Sequence, residues 1–352
     1  MTILEKLAVK PGVAPMEARL VDALPEGANW RYEPKWDGFR CLAFKADDTV
    51  ELRSKAGKPL GRYFPEVVAF LQALPAGRIV LDGELIVPVD GMLSFDALQM
   101  RLHPAESRIR RLSGETPAQL MLFDRLIDDR GHSLLAAPLK NRRRELERLF
   151  DRGDPAGFRL SPFTEDVAVA RSWLAQAGGA LDGVVAKDRE MPYEPGERVM
   201  LKVKNLRTAD CVVGGFRYGS GSAEVASLLL GLYNASGRLD HVGFTSSIPA
   251  GERLVLTARL EALIEPPGFT GRSPGGPSRW STERSGDWQP LRAELVVEVR
   301  YDHVTGDRFR HGTRLLRWRP DKAPAQCRID QLQSEAGPGM LATMIGLKAD
   351  AR

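Results

Sequence analysis

Charged residues inside strand-like apolar runs are the feature that most restricts what this chain can fold into. Four largely apolar runs, at 78–87, 120–127, 181–187 and 200–204, have the pattern of buried β-strands. Each run contains acids or lysines, namely Asp82, Glu84, Asp124, Asp182, Lys187, Lys202 and Lys204. A buried charge is costly unless it is paired or binds something. Any one of these residues is best explained as a structural ion pair, whereas their repetition predicts a polar site shared between strands.

A further lysine stands at the entrance of another predicted strand. The segment Tyr32-Glu33-Pro34-Lys35-Trp36-Asp37-Gly38-Phe39-Arg40 places Lys35 before an Asp-Gly turn, and the apolar run from Phe39 predicts a strand. A K-x-D-G pattern occurs by chance in about one chain in ten of this length. Taken alone, Lys35 is therefore explained either as a structural ion pair or as a nucleophile.

The order of predicted elements changes near residue 206. Before it, we predict a hairpin over 39–54 and helices over 64–71, 94–102, 138–150 and 165–177. After it, short strands and one helix follow the order of a small five-stranded OB barrel, with strands at 211–216, 227–233, 241–246 and 294–301 and the helix at 253–264. We predict domains over 1–205 and 206–330 and a loosely ordered tail over 331–352.

Composition excludes several classes of protein. The 352 residues are 43% hydrophobic and 27% charged, which is typical of a soluble globular protein. No apolar run has the length of a membrane span, and the N-terminal residues lack a signal-peptide pattern, so we expect a cytoplasmic protein with no membrane partner. The three cysteines are far apart and odd in number, which argues against a disulfide framework or a cysteine metal cluster.

Basic residues are clustered although the net charge is only +4. The pI near 9.0 permits a polyanionic partner without requiring one. Four basic clusters suggest one basic surface, and they lie at 101–111, 140–144, 198–207 and 308–322.

Considered together, these motifs resemble those of the ATP-dependent DNA ligases of the covalent nucleotidyltransferase superfamily, most closely the bacterial ligase C type. The resemblance covers about residues 10 to 330, and it rests on motifs in the family's order: Lys35–Arg40, Ser54–Gly57, Asp82–Glu84, Phe123-Asp124, Asp182–Lys187, Lys202–Lys204 and Arg319–Lys322. Two positions depart from the usual pattern, because Lys55 replaces an arginine and Asp182 replaces a glutamate.

The resemblance implies an α+β fold and a three-step reaction. The fold is a nucleotidyltransferase (adenylation, ATP-grasp-like) domain of antiparallel sheets with flanking helices, followed by a β-barrel OB-fold domain. AMP would move from ATP to Lys35, then to the 5′-phosphate of a nick in duplex DNA, and would leave when the 3′-OH attacks. The family further suggests a monomer with a role in DNA repair, near the nucleoid, with a repair polymerase or primase or an end-binding protein as partner.

The same resemblance assigns roles to residues. The catalytic residues would be Lys35 as AMP-lysine nucleophile with Asp37, Lys202 and Lys204. The ATP contacts would be Glu33, Pro34, Trp36, Arg40, Lys55, Glu84, Phe123, Val185, Lys187, Lys202, Lys204, Arg319 and Lys322, with Glu33 at the adenine amino group and Phe123 stacked on the base. Glu84 and Asp182 would hold Mg²⁺ or Mn²⁺, which prefer such hard oxygen ligands.

The reaction requires a neutral lysine. A lysine amine has an ordinary pKa of about 10.4, which leaves about one molecule in a thousand neutral near pH 7.4. Nearby cations disfavour the charged form, and the lysine pair at 202 and 204 supplies them. For the grip on nicked DNA, the basic candidates are Arg53, Lys58, Arg108, Arg110, Arg111, Arg142, Arg143, Arg144 and Arg279.

Two other functions remain open at this point. An RNA ligase or a capping guanylyltransferase would share the lysine and the carboxylate strands, although Glu33 and the R-W-R-P-D-K ending at 317–322 argue against a capping enzyme. A non-catalytic DNA-binding OB protein with an inactive nucleotide site is the second alternative. The retained core lysines argue against it.

Overall fold

A computed structural model describes residues 2–151, 153, 155–176, 181–275 and 287–332. The chain forms two compact units, of which the first ends at Asn205 and the second begins at Leu206. Almost all of the predicted tail, from residue 333 onward, and the candidate DNA contact Arg279 lie outside the described residues.

The first unit combines two main sheets with helices. Its strands are β1 (Ala18–Leu20), β2 (Trp30–Lys35), β3 (Phe39–Ala46), β4 (Thr49–Ser54), β5 (Arg78–Ile86), β6 (Pro88–Val89), β7 (Met92–Leu93), β8 (Gln119–Arg125), β9 (Phe158–Leu160), β10 (Gly183–Asp188) and β11 (Met200–Lys204). Its helices are α1 (Pro65–Ala73), α2 (Phe95–Met100), α3 (Glu106–Glu115), α4 (Leu139–Glu147) and α5 (Val167–Gln176).

The two sheets of the first unit are mainly antiparallel. One has the strand order β1-β11-β10-β2 and the other β4-β3-β5-β8-β9; β1 pairs in parallel with β11 and β9 in parallel with β8, while the remaining pairs are antiparallel. The predicted hairpin over 39–54 is confirmed as β3 and β4. Several elements were not predicted, among them β1, which is a short edge strand without apolar alternation, β9, and α3, which has only two buried apolar positions.

Strand alternation decides which side chains of β5 face each layer. Ile79, Leu81 and Leu85 pack in a core that also contains Val67 and Leu71 of α1. The alternate residues Val80 and Ile86 instead pack with residues of the other sheet, such as Met200 and Tyr32. Because side chains alternate along a strand, Asp82 and Glu84 share the face that is directed at the other sheet.

The second unit is built on one sheet. Its elements are β12 (Arg207–Tyr218), β13 (Val225–Tyr233), β14 (Leu239–Thr245), α6 (Arg253–Glu261), β15 (Gln289–Pro290), β16 (Val296–Tyr301), β17 (Val304–Thr305), β18 (Arg308–Phe309) and β19 (Arg314–Trp318). The main path is β14-β13-β12-β16-β19, and β15 also pairs with β12. This agrees with the predicted run of short strands and a helix.

The predicted barrel is not closed by a continuous ladder. The two edges of the sheet meet at one parallel bridge between Thr245 and Thr313, where the hydroxyl of Thr245 donates to the carbonyl of Thr313 at 2.9 Å. Register shifts in β12 near Gly215 and Tyr218 bend the sheet. The bend brings β14 close to the chain only at Thr313, immediately before β19 begins. The edge strands β14 and β19 therefore do not pair along their length.

Candidate active site

Register across three strands gathers the predicted lysines on one face. Gly183 of β10 lies opposite Lys35 of β2 on one side and Lys204 of β11 on the other. Val185, two residues further on, lies between Glu33 and Lys202 in the same way. Residues directly opposite one another in a sheet share a face, so these strands alone bring together groups that are far apart in sequence.

Gly183 is required where β10 and β11 approach each other closely. Its φ of +147° is a conformation that L side chains rarely adopt, and a Cβ atom there would lie 2.0 Å from the carbonyl oxygen of Val203. The glycine of the Asp182-Gly183 motif therefore permits the close approach of β10 and β11 on which the lysine arrangement depends.

The facing sheet contributes Arg40, Asp82 and Glu84. The Arg40 guanidinium donates to both carboxylate oxygens of Asp82, from Nε at 2.6 Å and from Nη2 at 2.7 Å. Tyr193 donates its hydroxyl to Asp82 at 2.7 Å. This fully buried carboxylate is thus satisfied, and the resulting rigid pair fixes Arg40 beside the Phe123 ring, at 4.6 Å from its centroid.

A cavity of about 210 Å³ lies between these groups. The predicted nucleotide contacts that line it are Glu33, Pro34, Lys35, Trp36, Arg40, Lys55, Glu84, Phe123, Val185, Lys187 and Lys202. Sequence reasoning missed Pro15, Met16, Glu17, Ala18 and Met200, which complete the lining. The first four precede or begin the short strand β1, whose pattern gave no signal of a role.

Glu33 and Lys187 form a buried pair at one wall of the cavity. Lys187 donates to Oε2 of Glu33 at 2.7 Å, and its ammonium lies 4.5 Å from the centroid of the Phe123 ring. The other oxygen, Oε1 of Glu33, is buried without a hydrogen-bond partner. A buried acceptor of this kind is costly when it is unsatisfied, and a donor on a bound ligand would satisfy it.

Lys35 faces a carboxylate and a second lysine. Its Nζ contacts Oδ2 of Asp182, and the lysine side chain is 26% exposed, so it is accessible to a ligand. Burial, together with the charges of Lys35, Lys204 and Lys55, lowers the pKa of Lys202. The field at this end of the cavity is therefore positive, which suits a phosphate.

The surroundings of Glu84 strongly raise the pKa of its carboxyl group. Burial raises its pKa to about 7, while Arg40 and Lys35 act in the opposite direction and Asp82 and Asp37 add to the rise. No group of three or more metal-ligating side chains occurs among the described residues. Mg²⁺ is usually bound by one or two carboxylates together with water and substrate phosphates, and Glu84 and Asp182 supply two carboxylates that both lie near Lys35.

Lys55 lies at the open side of the cavity. The lysine side chain is 57% exposed and donates to Glu17 at 2.8 Å. This hydrogen bond, with the charges of Lys55 and Arg198, lowers the pKa of Glu17. Lys55 is thus held at the cavity margin by a carboxylate that the sequence analysis did not identify.

Arg319 and Lys322 belong to the second unit and contact one carboxylate there. Nη1 of Arg319 lies 2.8 Å from Oδ1 of Asp210, and Nζ of Lys322 lies 2.6 Å from Oδ2 of the same residue. Asp210 is on β12 and was not predicted.

The structure corrects two of the predicted DNA contacts. Arg142 and Arg143 are buried, so they do not belong to a basic surface. Arg142 forms a two-bond ion pair with Asp124, at 2.9 and 3.0 Å, and Arg143 donates to the carbonyl of Ser161. The basic cluster at 140–144 predicts a surface for DNA because the acid that pairs with Arg142, Asp124, lies on a different element and gives no signal near the cluster.

The other described candidates keep some exposure. Arg144, Arg110, Arg111 and Lys58 are exposed, whereas Arg53 and Arg108 are partly buried. Arg110 and Arg111 pair with glutamates four residues away along α3.

A second, larger groove adjoins the cavity. Its volume is about 810 Å³, and it shares Arg40, Lys55 and Glu84 with that cavity. Its apolar lining is formed by Phe39, Pro59, Leu60, Tyr63 and Leu102, and its further cations are Lys58 and Arg62.

None of the described helices is both long and apolar enough to cross a membrane.

Comparison with known proteins identifies the family. A model of the ATP dependent DNA ligase domain matches residues 14–204, and one of the ATP dependent DNA ligase C terminal region matches residues 221–322. DNA ligase C of Mycobacterium tuberculosis is 44% identical in an alignment of 347 positions that covers 93% of this chain and 96% of that protein. The DNA repair protein LigD of the same organism is 29% identical over 306 residues, or 86% of this chain and 37% of LigD.

One solved structure supports the fold. A Lig E DNA ligase covers 86% of this chain and 99% of its own length with a TM-score of 0.54 at 17% identity. The two domain matches together span both units, and the identity to DNA ligase C extends over almost the whole length of each protein. The chain belongs to the ATP-dependent DNA ligase family, which consists of enzymes that form phosphodiester bonds.

Proposed function

We propose that the protein seals nicks in duplex DNA, with Lys35 as the residue that carries AMP. The observation that supports this most strongly is the position of Lys35 in a cavity whose wall presents the unpaired Oε1 of Glu33. An adenine amino group is a donor that matches this acceptor. The purine would then lie against Phe123, and the α-phosphate would reach the positive end of the cavity at Lys35 and Lys202.

In the first step, Nζ of neutral Lys35 attacks the α-phosphorus of ATP, an N–P bond forms, and pyrophosphate leaves. Asp182, which contacts Nζ, is placed to orient the amine, and the proton that the nitrogen loses as the N–P bond forms passes to solvent. Lys202 stabilises the charge that builds up on the phosphate oxygens. Arg319 and Lys322 of the second unit would neutralise the leaving pyrophosphate.

Glu84 and Asp182 are the side chains that would hold a divalent ion. Such an ion would supply positive charge at the phosphates. Glu84 can bind such an ion when its carboxyl group is ionised. Arg40 lies opposite Glu84 in the β3–β5 pairing, and the Arg40–Asp82 ion pair holds Arg40 in that position.

In the later steps AMP passes from Lys35 to the 5′-phosphate of the nick, and the 3′-OH then attacks that phosphate and releases AMP. The groove beside the cavity is the proposed contact for the DNA that flanks the nick. It combines an apolar lining with Lys55, Lys58 and Arg62, and it is continuous with the cavity through Arg40 and Glu84. Phosphate contacts of this kind depend strongly on salt and little on sequence. We place the activity in DNA repair, as the name of the relative LigD suggests.

The test is transfer of label from α-labelled ATP in the presence of Mg²⁺, followed by a chase with nicked DNA. Wild type should form a covalent adenylate that the nick discharges. Lys35→Ala should form none, whereas Lys140→Ala, which removes an exposed lysine paired with Glu190, should behave as wild type.

Three outcomes would contradict the proposal. They are an unlabelled wild type, a labelled Lys35→Ala protein, or discharge of the adenylate by nicked RNA but not by nicked DNA. Preferential labelling by GTP would favour a capping-type enzyme instead.

A further inference from the structure

Asp210 connects the two cations of the Arg319–Lys322 motif. Each of its carboxylate oxygens accepts from a different one, Oδ1 from Arg319 at 2.8 Å and Oδ2 from Lys322 at 2.6 Å. Two cations held this close repel each other, and a carboxylate between them offsets that repulsion. The motif is therefore a three-residue arrangement that includes a partner more than a hundred positions away.

The carboxylate that holds the motif is itself fixed. Asp210 is 9% exposed and lies within the long strand β12. Its backbone N–H donates to the side-chain oxygen of Gln331 at 3.0 Å, and its carbonyl accepts from the amide nitrogen of Gln331 at 3.3 Å. The side chains of Arg319 and Lys322 are only 19% and 24% exposed, so all three groups have little conformational freedom.

The contacts leave donors for a ligand. A guanidinium has five N–H donors and an ammonium has three. Arg319 contacts Asp210 through Nη1 and Asp321 through Nε and Nη2, and Lys322 contacts Asp210 through Nζ. Within the described residues these contacts use only part of the donor capacity of either cation, so both can bind an anion without leaving Asp210.

We infer that Asp210 is a positioning residue for the first step of the reaction. It holds Arg319 and Lys322 side by side so that their remaining donors meet the pyrophosphate portion of ATP as one preformed site. Positioning of this kind strongly affects rate, since a misplacement of about 1 Å can cost about 10²-fold. The inference rests on the proposed function, because it assigns Asp210 to the same adenylation step.

The experiment separates the first step from the last. The single-turnover rate and the ATP dependence of self-adenylation are measured beside the sealing of a nicked DNA that already carries AMP. We expect Asp210→Asn and Asp210→Ala to lower the adenylation rate by about 10- to 100-fold, with sealing of the adenylated nick within about twofold of wild type. Arg319→Ala should show the same split.

The control is Glu298→Gln, which removes a carboxylate from the neighbouring strand, where Glu298 pairs in register with Asp210 and binds Arg317. This variant should change neither step. A purely structural role for Asp210 predicts equal loss in both steps, and a role as competitor for the cations predicts faster adenylation in Asp210→Asn. Either result, or a wild-type rate in both Asp210 variants, overturns the inference.

Failure of the underlying proposal would appear differently. If wild type forms no adenylate, or if Arg319→Ala adenylates at the full rate, the assigned roles of Lys35 or of the second unit are wrong. If Arg319→Ala is impaired while the Asp210 variants are not, only the positioning role is wrong.

Discussion

The two units place their clustered cations by different means. In the first unit, Lys35, Lys202 and Lys204 are aligned by strand register around Gly183 and Val185. In the second unit, Arg319 and Lys322 follow the last strand of the sheet and are held by one side chain, Asp210. The first arrangement is distributed over many backbone hydrogen bonds, whereas the second depends on one carboxylate.

This difference has a consequence for robustness. A backbone-defined arrangement tolerates the loss of most individual side chains but not a change in strand spacing. A carboxylate-defined arrangement tolerates small backbone shifts but not the loss of that carboxylate. The following predictions test whether the contrast holds.

The largest effect should come from Gly183→Ala. The new Cβ would lie 2.0 Å from the carbonyl oxygen of Val203 at a φ that disfavours alanine, so β10 and β11 must separate. We expect loss of detectable self-adenylation and destabilisation of the first unit. Hydrogen exchange should show protection lost in β2, β10 and β11 while β12 and β13 keep theirs.

Gly12→Ala is the matched control, since a Cβ there meets no atom within 4 Å. If Gly183→Ala adenylates normally, register around this glycine does not position the lysines, and the contrast between the units fails.

The next largest effect should come from Arg142→Ala. Removal of the guanidinium leaves Asp124 as a buried, unpaired carboxylate, and such a loss typically costs about 3–5 kcal/mol. Urea unfolding should detect it. Arg144→Ala removes an exposed arginine from the same helix and should change stability by about 0.5 kcal/mol or less, while it weakens DNA binding in low salt. If both variants change the free energy of unfolding by the same small amount, Arg142 belongs to the basic surface and the correction is wrong.

The smallest effect concerns acid stability of the second unit. Burial, with the charges of Arg308, Arg217 and Arg272, lowers the pKa of His241 to about 3 from 6.5. Between these values the unfolded chain binds the additional proton, so stability falls as the pH decreases from about 6.5 towards 3, by up to about 1.4 kcal/mol per pH unit. His241→Gln should reduce this dependence of stability on pH. Hydrogen exchange of the β13 and β14 amides, compared at pH 7.5 and 5.5, measures it. An unchanged slope would contradict the assignment.

The sequence was most informative where local pattern and structure coincide. The alternation of lysine with apolar residues at 200–204 is a local pattern that places Lys202 and Lys204 on one face of a strand, and the β2–β10–β11 register places Lys35 and Glu33 on the same face. The motif resemblance named most of the residues that line the cavity. The change in the order of strands and helices near residue 206 was also predictable from the sequence, because turn residues and apolar runs are local signals.

Contacts between distant segments were not predictable from those signals. The burial of Arg142 depends on Asp124 of β8, and the arrangement of Arg319 depends on Asp210 of β12. A basic residue has the same pattern in sequence whether an acid from another strand covers it or water does. The short strand β1 escaped for a related reason, since a three-residue edge strand has too few positions to show alternation.

The strand β1 has a practical consequence for any change to the segment at residues 15–20. Pro15, Met16, Glu17 and Ala18 line the cavity, and β1 joins its sheet through β11. Deletion of these residues would remove one side of the cavity and leave the β11 edge open to pairing with other chains.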